Sequence, residues 1–134
     1  MAGIAGIIPL QEKHNKAVLS QALKKMIKGL SYSDNQVSNS YMHDSCYAAN
    51  VLPMHVIKND NLIKAPCLPY VFFFFFLIYI NDDHKSLIKS KYQINHNIKD
   101  LDYLPYLFDI YEEKFVDQLT GWFNILIYDE QKKS

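Results

Sequence analysis

The spacing of apolar residues changes several times along this chain, and each change predicts an element. Gly3 to Pro9 (G-I-A-G-I-I-P) is a short apolar run that reads as an opening strand, with small residues where another backbone can approach. Apolar positions then recur at helical spacing, at Leu19, Leu23, Met26, Ile27 and Leu30, which predicts one stripe of an amphipathic helix. Asn15 suits its N-cap, Gly29 its C-terminal cap, and Lys24, Lys25 and Lys28 its negative dipole end. Ser31 to Ser40 is polar and reads as a loop. Tyr41 to Leu52 ends in Y-A-A-N-V-L and reads as one strand. Pro53 to Pro69 holds three prolines and reads mostly as loop, with a short strand around His55 to Ile57.

Tyr70 to Ile80 (Y-V-F-F-F-F-F-L-I-Y-I) is the most apolar segment. A membrane helix needs about 20 such residues, and turn signals close both ends of this run, so it reads as a strand buried on both faces. Asp83 to Lys91 reads as a short helix with Leu87 and Ile88 inward, the preceding Asp82-Asp83-His84 serving as turn and cap. Asp100 to Lys114 reads as a longer helix with Leu101, Leu104, Leu107, Phe108 and Tyr111 on one face. Pro105 is tolerated only in a first turn, which places the start near Asp102. Phe115 to Leu119 continues it, Trp122 to Tyr128 is the closing strand, and Asp129 to Lys133 is a hairpin turn. Strands therefore open, bisect and close the chain with helices between them, which predicts an α/β (α+β) layered fold in a single domain, residues 1–134. A closing strand this apolar needs partners on both edges. The expectation is a truncated domain whose returning strand is missing or, alternatively, a non-enzymatic module that pairs this edge with a partner strand.

Composition narrows the picture. Apolar residues make up 49% and charged residues 21%, as in a globular domain. All 14 basic residues are Lys and they balance 14 acidic residues. A neutral chain without a basic stripe implies neither nucleic acid nor an anionic membrane as partner, while low net charge leaves homodimer formation open. Two cysteines and no signal peptide predict a reduced, cytoplasmic chain. His43, Cys46, His55 and Cys67 match no standard zinc spacing, so no metal site is expected, and no motif implies a cofactor.

Both ends carry a family pattern. Met1-Ala2-Gly3-Ile4-Ala5-Gly6-Ile7 resembles the M-C-G-I-A-G-I start of class II glutamine amidotransferase domains in asparagine synthetases. Leu104 to Glu113, followed by Leu119-Thr120-Gly121-Trp122-Phe123-Asn124-Ile125-Leu126-Ile127-Tyr128-Asp129-Glu130, resembles that family's helix, its L-x-G-x-F-A-F-A-I-W-D strand and its turn. Ile78-Tyr79 stands where the family has the I-Y of N-G-E-I-Y-N. The resemblance covers both ends well and the middle poorly. It implies an Ntn-hydrolase-like four-layer α-β-β-α sandwich and an ATP-dependent synthetase or ligase domain as partner, in cis or in trans.

The same resemblance implies that the glutaminase chemistry is lost. The family nucleophile, an N-terminal Cys, is replaced by Ala2, which has no group able to attack an amide. Loss of a covalent nucleophile removes about 10⁴ to 10⁶ in rate in protease analogues. Anchoring on Ile78-Tyr79 puts Phe75 and Phe76 at the oxyanion positions, closing the site with hydrophobic packing, and no glycine occurs between Gly29 and Gly121 to replace the family's. One lost oxyanion donor costs about 3–4 kcal/mol of transition-state stabilisation. The Arg that grips the substrate carboxylate falls in the loop Ser31-Tyr32-Ser33-Asp34, and the chain has no Arg; Lys lacks the bidentate fork. The acidic residue for the substrate amine falls near Tyr103, which leaves Asp102 as the one binding residue retained. The expected function is a degenerate, glutaminase-inactive domain of an asparagine-synthetase-like amide ligase, of lasso-cyclase or β-lactam-synthetase type.

Overall fold

The computed structural model describes residues 3–9, 15–31, 33–43, 46–53 and 62–134, with only the backbone of 74–77. Among the described residues, six strands form two antiparallel sheets. The first joins β1 (Gly3–Ile7), β2 (Gln36–His43) and β3 (Cys46–Pro53) in the order β1-β3-β2. The second joins β4 (Leu62–Lys64), β5 (Tyr70–Ile80) and β6 (Leu119–Asp129) in the order β4-β5-β6. Each sheet thus has its longest-paired strand in the middle, and β1 and β6 are both edge strands.

Alternation along β3 sets the layer order. Tyr47 and Ala49 point one way and pack with Leu23 of α1 (Lys16–Leu30), with Leu19, Ile27 and Ile7 around them. Cys46 and Ala48 point the other way, onto Val71 and Phe73 of β5 and Tyr128 of β6. Alanines at 48 and 49, both fully buried, keep each layer close. The far face of the second sheet, with Phe72, Ile78 and Ile80, is covered by Ile88 of α2 (Asp82–Tyr92), Leu104, Tyr106 and Leu107 of α3 (Leu104–Tyr111), and Phe115. One helix, two facing sheets and a second helical layer therefore stack in that order, an α+β arrangement.

Local chemistry explains the ends of most elements. The Asn15 side chain accepts from the Ala17 and Val18 N–H groups and starts α1. Asn81 does the same for Asp83 at the start of α2, where Asp82 and Asp83 favour the positive helix end. Pro105 lies in the first turn of α3, as its missing N–H requires, after a 3-10 turn at Asp100–Tyr103. A positive φ of 50° at Glu112 ends α3, and a 3-10 segment, Glu112–Gln118, leads into β6.

Several expectations need correction. Residues 36–40, read as loop, belong to β2: Val37, Asn39 and Tyr41 are half-buried while Ser38, Ser40 and Met42 face solvent. The single strand over 41–52 is instead the two arms of a hairpin, β2 and β3, with His43 paired to Cys46. Helix α1 runs through Gly29 to Leu30 and is closed at Ser31, whose N–H and hydroxyl both bond to the Ile27 carbonyl. Met26 and Leu87, expected inside, are 39% and 47% exposed. The strand expected around His55 to Ile57 lies outside the described residues, and β4 was not anticipated.

Candidate functional site

The resemblance directs attention to the start of β1. Gly3 pairs with Val51, and a Cβ at residue 3 would come within 2.8 Å of the Leu30 side chain, so a glycine there lets α1 close over the strand. Ile4 and Gly6 point the other way, into the space between the sheets, where a Cβ on Gly6 would stand 3.4 Å from Leu126. The two edge strands β1 and β6 flank a cavity of about 450 Å³, walled by Ile4, Gly6, Ile8, Cys46, Leu126 and Tyr128, with Asn124 at its mouth.

This cavity is poor in acid–base groups. Cys46 is its one nucleophilic wall residue, and burial, followed by the nearby Glu130 charge, pushes the thiol up to about 11. At neutral pH it is a protonated thiol, an apolar filler more than a nucleophile. Ala2 lies outside the described residues.

The residues expected to shape the rest of a glutaminase site are dispersed. Phe75 and Phe76 occupy successive rungs of the β5–β6 ladder, opposite Asn124 and Phe123. Asp102 accepts a hydrogen bond at Oδ2 from the Lys99 N–H (3.1 Å) and so caps the 3-10 turn. It also lines a separate cavity of about 290 Å³ with Leu62, Lys64, Lys99 and Asp100, which shares no described residue with the one beside β1. Asp102 is thus a local cap of that turn. Ser31 closes α1, while Ser33 donates its N–H to Gln36 Oε1 ahead of β2.

Of the four residues weighed as a zinc set, Cys46 is buried between the sheets and the exposed Cys67 lies 3.8 Å from the Tyr106 hydroxyl on the helical side of the second sheet. His55 is outside the described residues. No group of three or more metal-binding side chains occurs among the described residues.

A polar cluster that sequence reading missed lies at the other end of the inter-sheet space. Lys64 of β4 donates to both Glu130 oxygens (2.8 and 2.6 Å), and the Tyr41 hydroxyl of β2 donates to Glu130 Oε1 (2.5 Å). Burial opposes the Glu130 charge, but the bonds from Lys64 and Tyr41, with His43 nearby, outweigh it and hold the carboxyl below its usual range. Burial and the bond to Glu130 raise the Tyr41 phenol. A carboxylate so held is a poor base and a good tie, and this one joins β2 of the first sheet to β4 and the end of β6 in the second. Tyr41 and Glu130 are 89 residues apart, and no sequence signal links them.

A comparison of the sequence with protein-family models and with curated proteins gives no match. Among the described residues no helix is long and apolar enough to cross a membrane.

Proposed function

We propose that this chain is a glutaminase-like domain of the asparagine-synthetase type that no longer hydrolyses glutamine and serves as a structural partner for an ATP-dependent amide-ligase domain. The observation that carries the reading is the stacking order: α1, a sheet edged by β1 (Gly3–Ile7), a second facing sheet edged by β6, then helices. That layer order is the one an Ntn-hydrolase-like sandwich requires, and it supports the reading. Residue identity and local contacts favour architecture over catalysis: Ala at position 2, a protonated Cys46 between the sheets, Asp102 used as a cap, and no Arg in the chain.

The test is ammonia release from glutamine by the purified chain and by its Ala2→Cys variant, assayed with and without initiator-methionine processing. Both are expected at background, because a thiol alone restores neither the oxyanion donors nor the carboxylate clamp. Ammonia above background from either protein refutes the reading.

A further inference from the structure

On the helical side of the second sheet, away from the inter-sheet space, a line of ionisable side chains runs from a carboxylate to a thiol. The Tyr92 hydroxyl, at the last residue of α2, donates to Asp109 Oδ2 of α3 (2.5 Å). The Tyr92 ring leans on the Tyr106 ring of α3, with centroids 4.8 Å apart and planes tilted by 56°. The Cys67 thiol, a weak donor, points to the Tyr106 hydroxyl (3.8 Å). A turn holds Cys67 there, closed by the Leu68 N–H on the Ala65 carbonyl just before β5. Tyr106 is buried, Tyr92 is half-buried, and the Cys67 end is exposed.

We propose that this line is an exit path for one-electron oxidation: Tyr92 gives up the electron first, and the Cys67 thiol replaces it through the Tyr106 ring. The oxidant is a diffusible radical of the nitrogen dioxide or carbonate-radical class. It takes one electron from Tyr92, whose phenol proton crosses to Asp109, leaving a neutral phenoxyl and a neutral carboxylic acid. An electron then passes from Cys67 through Tyr106 to the phenoxyl. Asp109 returns its proton to Tyr92, the Cys67 S–H proton leaves to water, and Tyr106 ends unchanged. The sum is one oxidant reduced and one thiyl radical formed at the surface. A free small thiol restores the Cys67 S–H by giving up a hydrogen atom.

Each contact supplies something the path needs. A phenol loses an electron readily only when its proton has an acceptor at hand, and Asp109 is already bonded to it. The resting tyrosines keep their protons: burial, then the Asp109 bond, raises the Tyr92 phenol, and burial, then the Cys67 contact, raises Tyr106. Lys91 lies over the Tyr92 ring at 5.4 Å and opposes electron loss, but Asp109 carries the opposite charge in direct contact with the phenol oxygen. A tie between α2 and α3 needs only Tyr92 and Asp109. The stacked ring beyond them and the thiol at its far end are what join the phenol to the surface. A thiol suits that last position, because its mildly oxidised forms are restored by other thiols. The inference goes beyond the glutaminase-like reading and does not depend on it.

The test is pulse radiolysis of the full chain without oxygen, with azide radical standing in for the oxidant and tyrosyl absorbance as the readout. Trp122→Phe and Tyr79→Phe are built into every chain tested, because those rings are 84% and 61% exposed and would compete for the oxidant. The expected result is a tyrosyl decay phase whose rate does not change with protein concentration. Cys67→Ser should abolish that phase, and nitrone trapping read by mass spectrometry should then find the adduct at Tyr92 instead of Cys67. Tyr106→Leu, in a chain shown to be folded by circular dichroism, should abolish the phase with the thiol still present. Asp109→Asn, which keeps an acceptor but removes the base, should lower the share of radical reaching Cys67. A tyrosyl decay indifferent to Cys67→Ser, a phase that persists in Tyr106→Leu, or adducts spread over tyrosines outside this line would each overturn the inference.

Discussion

Truncating Phe72 to alanine tests whether the even-numbered positions of β5 face the helical layer. Phe72 is fully buried, and its ring meets Phe108 and Phe115 edge-on, at centroid distances of 5.9 and 6.1 Å. Those two rings also hold each other, at 5.4 Å, so the walls of the hole left by the substitution cannot collapse readily. A buried phenylalanine removed from such a site costs about 3–5 kcal/mol, transfer and cavity together. Against a total of about 5–15 kcal/mol, that is a large fraction of the fold's stability. The assay is urea unfolding at 25 °C followed by far-ultraviolet circular dichroism, at a protein concentration too low for self-association. The midpoint should fall with little change in slope. Trp122→Ala, at a solvent-exposed position, serves as the reference and should stay within about 0.5 kcal/mol of the parent. A loss below about 1 kcal/mol for Phe72→Ala, or equal losses for the two variants, would refute the facing of β5 described above.

The Tyr41–Glu130–Lys64 tie predicts a pH dependence. Glu130 titrates lower in the folded chain than the usual value of about 4.3, so its contribution is complete above roughly pH 5 and is lost as pH falls through the folded value. Unfolding midpoints measured from about pH 7 to pH 3 should therefore decline more steeply for the parent than for Glu130→Gln; parallel curves would contradict the tie. At the start of α1, Asn15→Ala should cost about 1 kcal/mol, because two helix N–H groups lose their acceptor, and Asn15→Asp should restore most of that loss in the same urea experiment.

Elements whose local pattern and burial agree could be read from the sequence. The run Tyr70 to Ile80 is β5 from its first residue to its last, because its apolar character is continuous and both faces are buried at Val71, Phe72 and Phe73, although Tyr79 is exposed. The Asn15 cap and the position of Pro105 were readable because capping and the missing N–H of proline are local physics. Strand β2 escaped notice because it is an edge strand. Only Val37, Asn39 and Tyr41 turn inward, and a polar Asn in that series interrupts the alternation a half-buried strand shows. Strand β4 is three residues long and exists only through its pairing with Val71, Phe72 and Phe73. The sites fared unevenly for a similar reason. The alanine at position 2 and the absence of Arg are properties of residue identity. The use of Asp102 as a cap and the convergence of Tyr41, Lys64 and Glu130 depend on local geometry and tertiary contact.

The pairing of β5 with β6 sets a timing problem for synthesis. Phe72 lies opposite Ile127, about 55 residues further along the chain. At about 5–20 residues per second, the phenylalanine run leaves the ribosome several seconds before its partner strand exists. Until then the segment is uncharged and strongly β-forming, with only the three-residue β4 available to pair with it at Val71 to Phe73. The intervening helices α2 and α3 are built from near neighbours in sequence and can form early, and their apolar faces offer Phe72 and Ile78 temporary cover on one side. The other side must wait for β1 to β3 to dock, so the order in which the two sheets mature decides whether the nascent chain folds or aggregates.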